Sequence, residues 1–401
     1  MRILISGAGI GGPALAYWLA RYGHRPTVVE LAPALRAGGQ AVDFRGPTHL
    51  AVLRRMGLLE ELRERQTGGT PMTFTDVRGR TRLRLPAEFA GGEVEIRRGD
   101  LVRLLHRHSA PGTEYLFGDT VTTLSQDEQD AGGVRVGFRH APERHFDLVV
   151  GADGLHSRVR ALAFGPERQY VRHLGYYAAT WPFANRLGLP PGSTGLNTPG
   201  RLAAAGADPR DPERAGAFLL FAAPELALDR HDPARLKALL RERFADLPHP
   251  VPQLLATLDE VDDRDLYVDS ISRADVPAWS TGRIALLGDA ACGATIGGMG
   301  TGTALVAAYV LATELTRADG DHRAALTRYE HTVRPYAERC RRGGDRTGPF
   351  LAPRTARGLW LRNTLLGRPA LLGRMLALGE DIATLDLPEP ARAPQDRTAG
   401  Q

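Results

Sequence analysis

The sequence contains few residues that could form disulfides or a structural metal site. Among 401 residues there are only two cysteines, Cys292 and Cys340, and their spacing fits neither a zinc site nor a disulfide framework. Such scarcity is typical of proteins from a reducing compartment. The N-terminus also lacks the basic stretch, apolar core and small-residue cleavage site of a secretory leader. These absences predict a cytoplasmic protein without a metal centre.

Long apolar runs and basic clusters are absent as well. No segment approaches the ~20 consecutive apolar residues that a membrane-spanning helix requires. Lys237 is the only lysine, and the many arginines are interspersed with acidic residues, so that the formal net charge is only +5. No basic stripe with interleaved aromatic residues marks a nucleic-acid surface. The sequence therefore predicts no nucleic-acid or membrane partner, and a protein that is a monomer or homodimer.

The first thirty residues have the pattern of a nucleotide-binding unit. Residues 2–6 and 26–30 are apolar and predict strands, and residues 13–22 predict a helix between them. The first strand and the helix are joined by a glycine-rich turn at residues 7–12. A strand, a glycine turn, a helix and a second strand in this order are typical of the Rossmann dinucleotide-binding motif.

Each glycine of this fingerprint has a physical role. Gly7 permits the tight turn, Gly9 lets a pyrophosphate approach the backbone, and Gly12 lets the helix pack closely on the strand. The helix N-terminus then faces the phosphates. Glu30, at the end of the second strand, is suited to accept a hydrogen bond from an adenosine ribose hydroxyl. Because an acidic residue disfavours a 2′-phosphate, the motif predicts bound FAD or NAD.

Two further apolar segments end in an acidic residue paired with glycine. Residues 147–154 end in Asp153 and Gly154, and a later segment ends in Gly288 and Asp289. In this order, the three motifs resemble those of the class A flavoprotein monooxygenases, the family of para-hydroxybenzoate hydroxylase and the tetracycline-inactivating monooxygenases. The resemblance selects FAD over NAD as the resident cofactor.

The resemblance covers roughly residues 1–375 and implies several site residues. In that family the residue at the position of Asp289 bonds the ribityl chain, and the pair at Asp153 and Gly154 lines the cofactor and the nicotinamide approach. Arg98, before a predicted helix, corresponds to an arginine that contacts FAD. The resemblance also implies noncovalent FAD and a transient reductant, NADPH or NADH. The alternative is that the two aspartates only cap turns.

Further candidates for FAD binding lie in two loops. A second glycine-rich turn, residues 297–302, opens a predicted apolar helix, whose backbone amides are suited to hold a reduced, anionic isoalloxazine. The segment at residues 39–46 resembles the flavin-flanking loop of the family. The additional candidates from these turns and their surroundings are Arg36, Asp43, Arg45, Gly298, Gly300 and Thr301.

The fold class is predicted as α/β (α+β overall). A Rossmann-type FAD-binding domain is interrupted by a sheet-rich substrate domain and followed by a helical C-terminus. The inserted domain is predicted from strand patterns and one helix, at 72–77, 80–85, 176–181, 215–223, 232–244 and 266–272. The predicted boundaries are 1–70, 96–165 and 280–320 for the FAD-binding domain, 71–95 and 166–279 for the substrate domain, 321–386 for C-terminal helices and 387–401 for a disordered tail.

Substrate-binding residues are predicted from the alternation of side chains along strands. One apolar strand face of the inserted domain is expected to roof the flavin, and Arg201 matches a position that contacts substrate or flavin in the tetracycline-inactivating enzymes. Ordinary core or surface positions are the alternative. The candidates are Tyr176 and Thr180 of one strand, Leu219 and Phe221 of another, and Arg201 and Ile296.

The chain departs from the family pattern after Asp289. Family members usually carry a proline between this motif and the following glycine turn, whereas this chain has Cys292 followed by Gly-Ala-Thr-Ile. Cys292 is expected to be a small buried thiol rather than a reactive one. No catalytic side chain is assigned.

The motifs predict an FAD- and NAD(P)H-dependent monooxygenase that oxidises an aromatic or polyketide-like molecule through a C4a-hydroperoxyflavin. No second dinucleotide turn is present in the sequence, so the nicotinamide nucleotide is expected to bind transiently. Two alternatives remain open because of the missing proline. One is an FAD-containing non-redox tailoring enzyme or cyclase, and the other is an FAD-dependent reductase without oxygen insertion.

Overall fold

The computed structural model describes residues 1–35, 41–126, 132–230, 232–296, 299–342, 344–368, 370–373 and 384–391. Its strands are β1 (Arg2–Ser6), β2 (Arg25–Glu30), β3 (Ala41–Phe44), β4 (Met72–Thr75), β5 (Thr81–Leu85), β6 (Val94–Arg97), β7 (Glu114–Phe117), β8 (Val121–Gln126), β9 (Val134–Phe138), β10 (Arg144–Phe146), β11 (Leu148–Gly151), β12 (Val171–Ala184), β13 (Ser193–Thr198), β14 (Arg201–Asp208), β15 (Asp211–Ala222), β16 (Tyr267–Ala274), β17 (Ser280–Thr281) and β18 (Ile284–Leu286). Its helices are α1 (Gly11–Arg21), α2 (Gly46–Arg55), α3 (Leu59–Arg65), α4 (Glu88–Gly91), α5 (Arg98–Ser109), α6 (Arg158–Ala163), α7 (Pro233–Phe244), α8 (Val251–Ala256), α9 (Asp289–Cys292), α10 (Gly300–Arg317), α11 (His322–Arg342), α12 (Thr347–Leu351) and α13 (Ala356–Leu366). Short 3₁₀ helices lie at Glu167–Gln169, Thr257–Asp259 and Gly344–Arg346.

A six-stranded sheet contains the strand that precedes the glycine turn. Its order is β17-β18-β11-β1-β2-β7, and all neighbours pair in parallel except β17, which is antiparallel at one edge. The apolar residues of β1, β2 and β11 are buried in the largest core cluster, together with residues of α1, α5, α10 and α11. Parallel strands covered in this way read as continuous apolar runs, as β1 and β11 do here. The carboxyl ends of β1, β2 and β11 meet at the same edge, where open α/β sheets bind ligands.

A seven-stranded sheet forms the second layer of the molecule, in the order β16-β12-β15-β14-β13-β4-β5. One face packs against α7 and α8, and the other packs against α12 and α13. The hairpin of β4 and β5 joins this sheet through parallel pairing of β4 with β13. Strands β13 and β14 were not predicted, because β14 is rich in alanine and glycine and β13 contains glycine and asparagine, all of which are depleted in strands.

Two small sheets complete the fold. Strands β3 and β6 pair antiparallel, and β8, β9 and β10 form an antiparallel sheet of three strands. The structure thus has the mixed α/β architecture and helical C-terminal part that the sequence predicts. The exact domain boundaries remain a prediction.

The chain after residue 386 differs from the expected disordered tail as far as it is described. Leu385, Leu387 and Ala391 pack against the main core cluster. The Pro388 carbonyl accepts hydrogen bonds from Tyr309 Oη at 2.6 Å and from an arginine of α2 at 3.0 Å. The expectation was therefore wrong for residues 387–391, because arginine and tyrosine side chains satisfy this backbone and its few apolar side chains reach the core.

Candidate functional site

The first glycine turn is tightly packed at two of its positions and open at the third. Gly7 has φ of 108°, and a Cβ there would lie 2.5 Å from the Ala152 carbonyl oxygen. A Cβ on Gly12 would lie 1.9 Å from the Gly7 carbonyl oxygen. A Cβ on Gly9, in contrast, would meet nothing within 4 Å. The backbone at Gly9 therefore borders open space, where a pyrophosphate can approach.

Glu30 connects the first glycine turn to the end of β2 through hydrogen bonds. Its Oε2 accepts a hydrogen bond from the Ala8 N–H at 2.8 Å, and its Oε1 accepts one from the Ala32 N–H at 2.9 Å. An ionised carboxylate has about four lone-pair sites, so both oxygens keep the capacity to accept a ribose hydroxyl. The glutamate is thus positioned by the backbone of both neighbouring segments.

Asp153 is surrounded by hydrogen-bond donors of the protein itself. Its carboxylate accepts from Ser157 Oγ, from the N–H of Arg158 at 2.8 Å and of Val159 at 3.1 Å, and from Ser6 Oγ at 3.3 Å. This arrangement caps α6 and ties it to the end of β1. Gly154 has φ of 79°, and a Cβ there would meet nothing within 4 Å. Asp153 therefore holds the turn, while Gly154 borders open space.

Asp289 has a different environment from Asp153. It begins α9, and no described residue donates a hydrogen bond to its carboxylate. Burial raises the pKa of this carboxyl, and the Arg98 guanidinium at the start of α5 partly offsets the rise. A Cβ on Gly300 would lie 3.2 Å from Asp289 Oδ1, so the carboxylate faces the first turn of α10, which includes Thr301.

These features fit the requirements of FAD. A buried carboxylate without donors is costly unless a ligand supplies them, and ribityl hydroxyls are donors of the right kind. The open backbone at Gly9 and the N-terminus of α1, which has no side-chain cap, are suited to a pyrophosphate. The predicted residues that could hold the cofactor in this arrangement are Gly7, Gly9, Gly12, Glu30, Arg98, Asp289, Gly300 and Thr301. Arg36 and Gly298, also predicted, lie outside the described residues.

Asp43 and Arg45 bind each other and brace the loop that precedes α2. Arg45 forms an ion pair with Asp43, and its Nη2 donates to the Phe89 carbonyl at 2.9 Å. The Arg45 N–H donates to His49 Nδ1 at 3.2 Å. The His49 ring in turn packs against Gly302, where a Cβ would lie 2.2 Å from it. This pair therefore connects the predicted flavin-flanking loop to the start of α10 through His49.

The sheet face that points toward Ile296 carries Tyr176 and Thr180. The pairing of β12 with β15 places Ala222 opposite Tyr176 and Phe218 opposite Thr180, so these four residues share one face. Ile296 packs against the apolar cluster on that face. Tyr176 is buried on this face. Its hydroxyl donates a hydrogen bond to the Ala352 carbonyl at 3.0 Å, and the Arg354 guanidinium lies over its ring. Thr180 lies farther along the strand, opposite Tyr267 of β16.

Three of the predicted substrate residues lie on the opposite face of this sheet. Leu219 and Phe221 are buried against α7 and α8, and Arg201 forms an ion pair with Asp246 after α7. The alternation of side chains was predicted correctly within each strand. The antiparallel register of β12 and β15 decides which residues of the two strands lie on the same face of the sheet, and the sequence does not give this register. The placement corrects the prediction for these three residues.

Two residues near the site were missed by sequence reasoning. Tyr267 of β16 lies close enough to Asp269 and Arg98 to interact with their charges: partial burial and then Asp269 raise the pKa of its phenol, while the Arg98 guanidinium opposes the rise. His156, beyond Gly154, bridges Glu167 at 2.9 Å and Asp269 at 3.0 Å. Burial lowers the pKa of His156, but the hydrogen bonds to these carboxylates outweigh it and raise the pKa. Neither residue belongs to a motif, because β16 and the turn after β11 meet only in the folded chain.

The chain between Asp289 and Ile296 is fastened to β16. Thr295 Oγ1 accepts from the Ser272 N–H at 3.0 Å and donates to the Ser270 carbonyl at 2.9 Å. Burial raises the pKa of the Cys292 thiol to about 11, so this thiol is protonated at neutral pH. Among the described residues, no cluster of three His, Cys, Asp or Glu side chains could hold a metal ion, and none of the helices there is long and apolar enough to cross a membrane.

Comparisons with known proteins agree with this geometry. A family model described as an FAD binding domain matches residues 1–175. An uncharacterised protein of Mycobacterium tuberculosis is 41% identical over 347 residues, which cover 84% of this chain and 91% of that protein. A flavin-dependent monooxygenase of Legionella longbeachae is 36% identical over 344 residues, covering 84% of this chain and 86% of that enzyme. The crystal structure of tetracycline destructase Tet(55) has a TM-score of 0.81 and 32% identity, covering 96% of this chain and 98% of that one.

The fold and the FAD site define an FAD-dependent oxidoreductase. The chain belongs to the family of flavin-dependent monooxygenases, within the class A flavoprotein monooxygenases whose three motifs it resembles in sequence. The predicted family, fold class and cofactor FAD are thereby confirmed.

Proposed function

We propose that this monooxygenase uses NADH or NADPH to oxidise an apolar aromatic or polyketide-like molecule. The observation that carries the proposal is the apolar cluster on the sheet face beside Ile296. Phe89, Phe218 and Phe350 are partly buried around this cluster, and the rings of Phe89 and Phe350 stack with centroids 5.5 Å apart. A partly buried aromatic surface of this kind favours a planar apolar substrate and excludes water.

Bound FAD would supply the redox chemistry for inserting oxygen into the substrate. The residues of this chain hold and tune it. Asp289 and Glu30 are proposed to accept hydrogen bonds from ribityl and ribose hydroxyls, while the Arg98 guanidinium favours the ionised form of Asp289 and partly offsets the rise that burial causes in its pKa. The backbone amides at the start of α10 favour negative charge at the flavin edge without needing a proton.

The reductant is proposed to bind transiently beside the turn at Gly154. This glycine borders open space, and the sequence has no second dinucleotide turn. His156 and its carboxylate partners fix the segment that follows Gly154 against β16. The nicotinamide ring would thus bind next to this fixed segment, without a nucleotide-binding domain of its own.

The proposal is tested by following NADH and NADPH oxidation with a panel of planar molecules. Tetracycline is the first probe because a structural relative is named a tetracycline destructase, and simple phenols and fused-ring polyketide aromatics complete the panel. We expect at least one member to accelerate nucleotide oxidation and to yield a product heavier by one oxygen atom. Failure of both nucleotides to reduce the flavin, with every member of the panel, would contradict the proposed reductant.

The cofactor is proposed to be noncovalent. Heat or acid denaturation followed by chromatography of the supernatant should release one FAD per chain. Flavin that remains with the precipitated protein would contradict this part of the proposal.

A further inference from the structure

Helix α13, near the C-terminal end, carries large apolar side chains on the side that faces solvent. Trp360 is 67% exposed, Leu361 51% and Leu365 41%, and Leu371, just beyond the helix, is 37% exposed. At 3.6 residues per turn, the three helical residues fall within an arc of about 140°. We call Trp360, Leu361, Leu365 and Leu371 the α13 face.

The orientation of this helix is fixed by polar contacts on its inner side. Arg362 is buried, and its guanidinium lies 4.6 Å above the ring of Phe74. Its Nη2 donates to Asn197 Oδ1 at 2.6 Å, and its Nη1 donates to the Leu351 carbonyl at 2.9 Å. A rotation of α13 that buried Trp360 would break these hydrogen bonds and leave Arg362 either exposed or buried without a hydrogen-bond partner. The helix therefore has an arginine inside and a tryptophan outside.

The α13 face is a concentrated patch rather than a chance exposure. The other large apolar side chains of comparable exposure among the described residues are Leu31, Val77 and Tyr267, each in a different part of the chain. Single exposed apolar residues are ordinary in soluble proteins, whereas a contiguous patch marks an interaction surface.

The charged residues along the chain on both sides of α13 have one sign. Residues 346–379 contain six arginines and no aspartate or glutamate. Arg357, in the first turn of α13, and Arg368, after its end, are exposed, and the structure gives neither an ion pair with a described residue. A helix surface with Trp and Leu flanked by Arg is the arrangement that binds at the interface of an anionic membrane.

Although the sequence predicts no membrane partner, we propose that the α13 face binds peripherally to a membrane surface that contains anionic phospholipid. Trp360 and the three leucines enter the boundary between headgroups and acyl chains, and Arg357 and Arg368 contact the phosphate groups. A second copy of the chain fits less well, because a two-fold contact would bring the arginines of both copies together. Such binding would hold the enzyme where apolar substrates concentrate, although the binding itself does not depend on the proposed substrate.

The holoenzyme contains its own reporter for this binding. Trp18, Trp181 and Trp279 are buried, so that Trp360 is the exposed one of the four tryptophans. Vesicles of phosphatidylcholine with phosphatidylglycerol should shift the tryptophan emission to the blue and sediment the protein. Vesicles of phosphatidylcholine alone should bind about tenfold less, and added salt should weaken binding to the anionic vesicles.

Variants decide between the lipid surface and a second copy. The triple change Trp360→Ala, Leu361→Ala and Leu365→Ala should reduce sedimentation with anionic vesicles about tenfold or more. The matched control, Val77→Ala at an exposed apolar residue elsewhere, should bind as the unchanged holoenzyme does, and FAD content and melting temperature report folding of each variant. The proposal is overturned if the triple variant binds equally well. It is also overturned if the holoenzyme does not bind the anionic vesicles. A dimer in analytical ultracentrifugation that the triple variant loses would then identify a second copy of the chain as the occupant of the α13 face.

Discussion

Asp289 and Asp153 show how two similar motifs place the same side chain in opposite environments. Asp153 receives hydrogen bonds from four protein donors, whereas Asp289 receives none from a described residue. Both aspartates were predicted to line the cofactor, with turn capping as the alternative. The sequence could not separate these roles, because the donors around Asp153 come partly from Ser6, on another strand.

We predict that Asp289→Ala weakens FAD binding at least tenfold. Charge-assisted hydrogen bonds to ribityl hydroxyls are worth about 1.5–3 kcal/mol each, and a tenfold loss corresponds to about 1.4 kcal/mol. Fluorescence titration of the apoprotein with FAD measures the change. Asp147→Ala is the control, since Asp147 binds the Arg2 N–H at the other end of the same sheet. Equal FAD affinity for the two variants would contradict the role of Asp289.

His49 makes stability depend on pH. Burial lowers its pKa from 6.5 to about 4, so below pH 6.5 the unfolded chain takes up a proton that the folded chain refuses. Its contribution is therefore complete above pH 6.5 and is lost as the pH falls toward 4, by up to about 3 kcal/mol. His24, whose pKa burial also lowers to about 4, adds to the same loss.

The variant His49→Asn isolates the His49 contribution. Its amide oxygen can accept the Arg45 N–H, but the side chain does not titrate. Urea unfolding from pH 7 to pH 4.5 should show a shallower loss of unfolding free energy than in the unchanged protein, while His140→Asn at an exposed histidine should keep the original slope. Parallel curves for all three proteins would rule out His49 as the source.

At the scale of the elements, the start of α10 connects cofactor and fold. Gly300 does not have the left-handed backbone that would demand glycine, so its role is one of space, since a Cβ would lie 3.2 Å from Asp289 Oδ1. We predict that Gly300→Val leaves the fold intact but slows flavin reduction by NADH or NADPH at least tenfold in anaerobic stopped-flow measurements, because the larger side chain crowds Asp289 and the flavin edge.

Gly216→Val is a suitable comparison for this variant. Gly216 lies in β15, where a Cβ would meet nothing within 4 Å, so that change should leave the reduction rate unaltered. A Gly300→Val protein that is reduced as fast as the Gly216→Val protein would show that the space beside Asp289 does not matter.

The elements also show where sequence reasoning stops. The strand–turn–helix unit around Gly7 was predicted because its signals are local, and the pattern of buried residues in β1 and β2 follows directly. Strands β13 and β14 were missed because the alanines of β14 and the glycine and asparagine of β13 acquire strand geometry only from their neighbours. Leu219 and Phe221 were candidates for the face over the flavin, but they lie on the face opposite to that of Tyr176, because register is a property of two strands rather than of one.

At the scale of the whole molecule, residues 384–391 connect the C-terminal part of the chain to the FAD-binding region. Thr48 Oγ1 in α2 accepts a hydrogen bond from the Leu385 N–H at 2.8 Å. His49, which follows Thr48 in the chain, packs against the start of α10 at Gly302. Tyr309 of α10 donates to the Pro388 carbonyl. The segment thus joins α2 and α10 from outside. A polar, proline-rich sequence gave no sign of this, because its partners lie more than 70 residues away.

We predict that Tyr309→Phe lowers the unfolding free energy by about 1–2 kcal/mol. The Pro388 carbonyl then loses the Tyr309 hydroxyl as a donor and keeps the hydrogen bond from Arg55 of α2. Thermal unfolding of the holoenzyme measures the change. Tyr17→Phe, which removes a hydrogen bond to the Met56 carbonyl at a less buried site, should cost less. A larger loss for Tyr17→Phe would indicate that the C-terminal segment contributes little to stability.

We propose that this chain inserts one atom of molecular oxygen into an apolar substrate. A reaction under ¹⁸O₂ with NADH or NADPH and the panel member that best accelerates nucleotide oxidation, followed by mass spectrometry of the product, tests this directly. We expect a product that carries one ¹⁸O atom, formed in step with nucleotide consumed. A product without the label, or nucleotide oxidation that yields only hydrogen peroxide with every member of the panel, would contradict it.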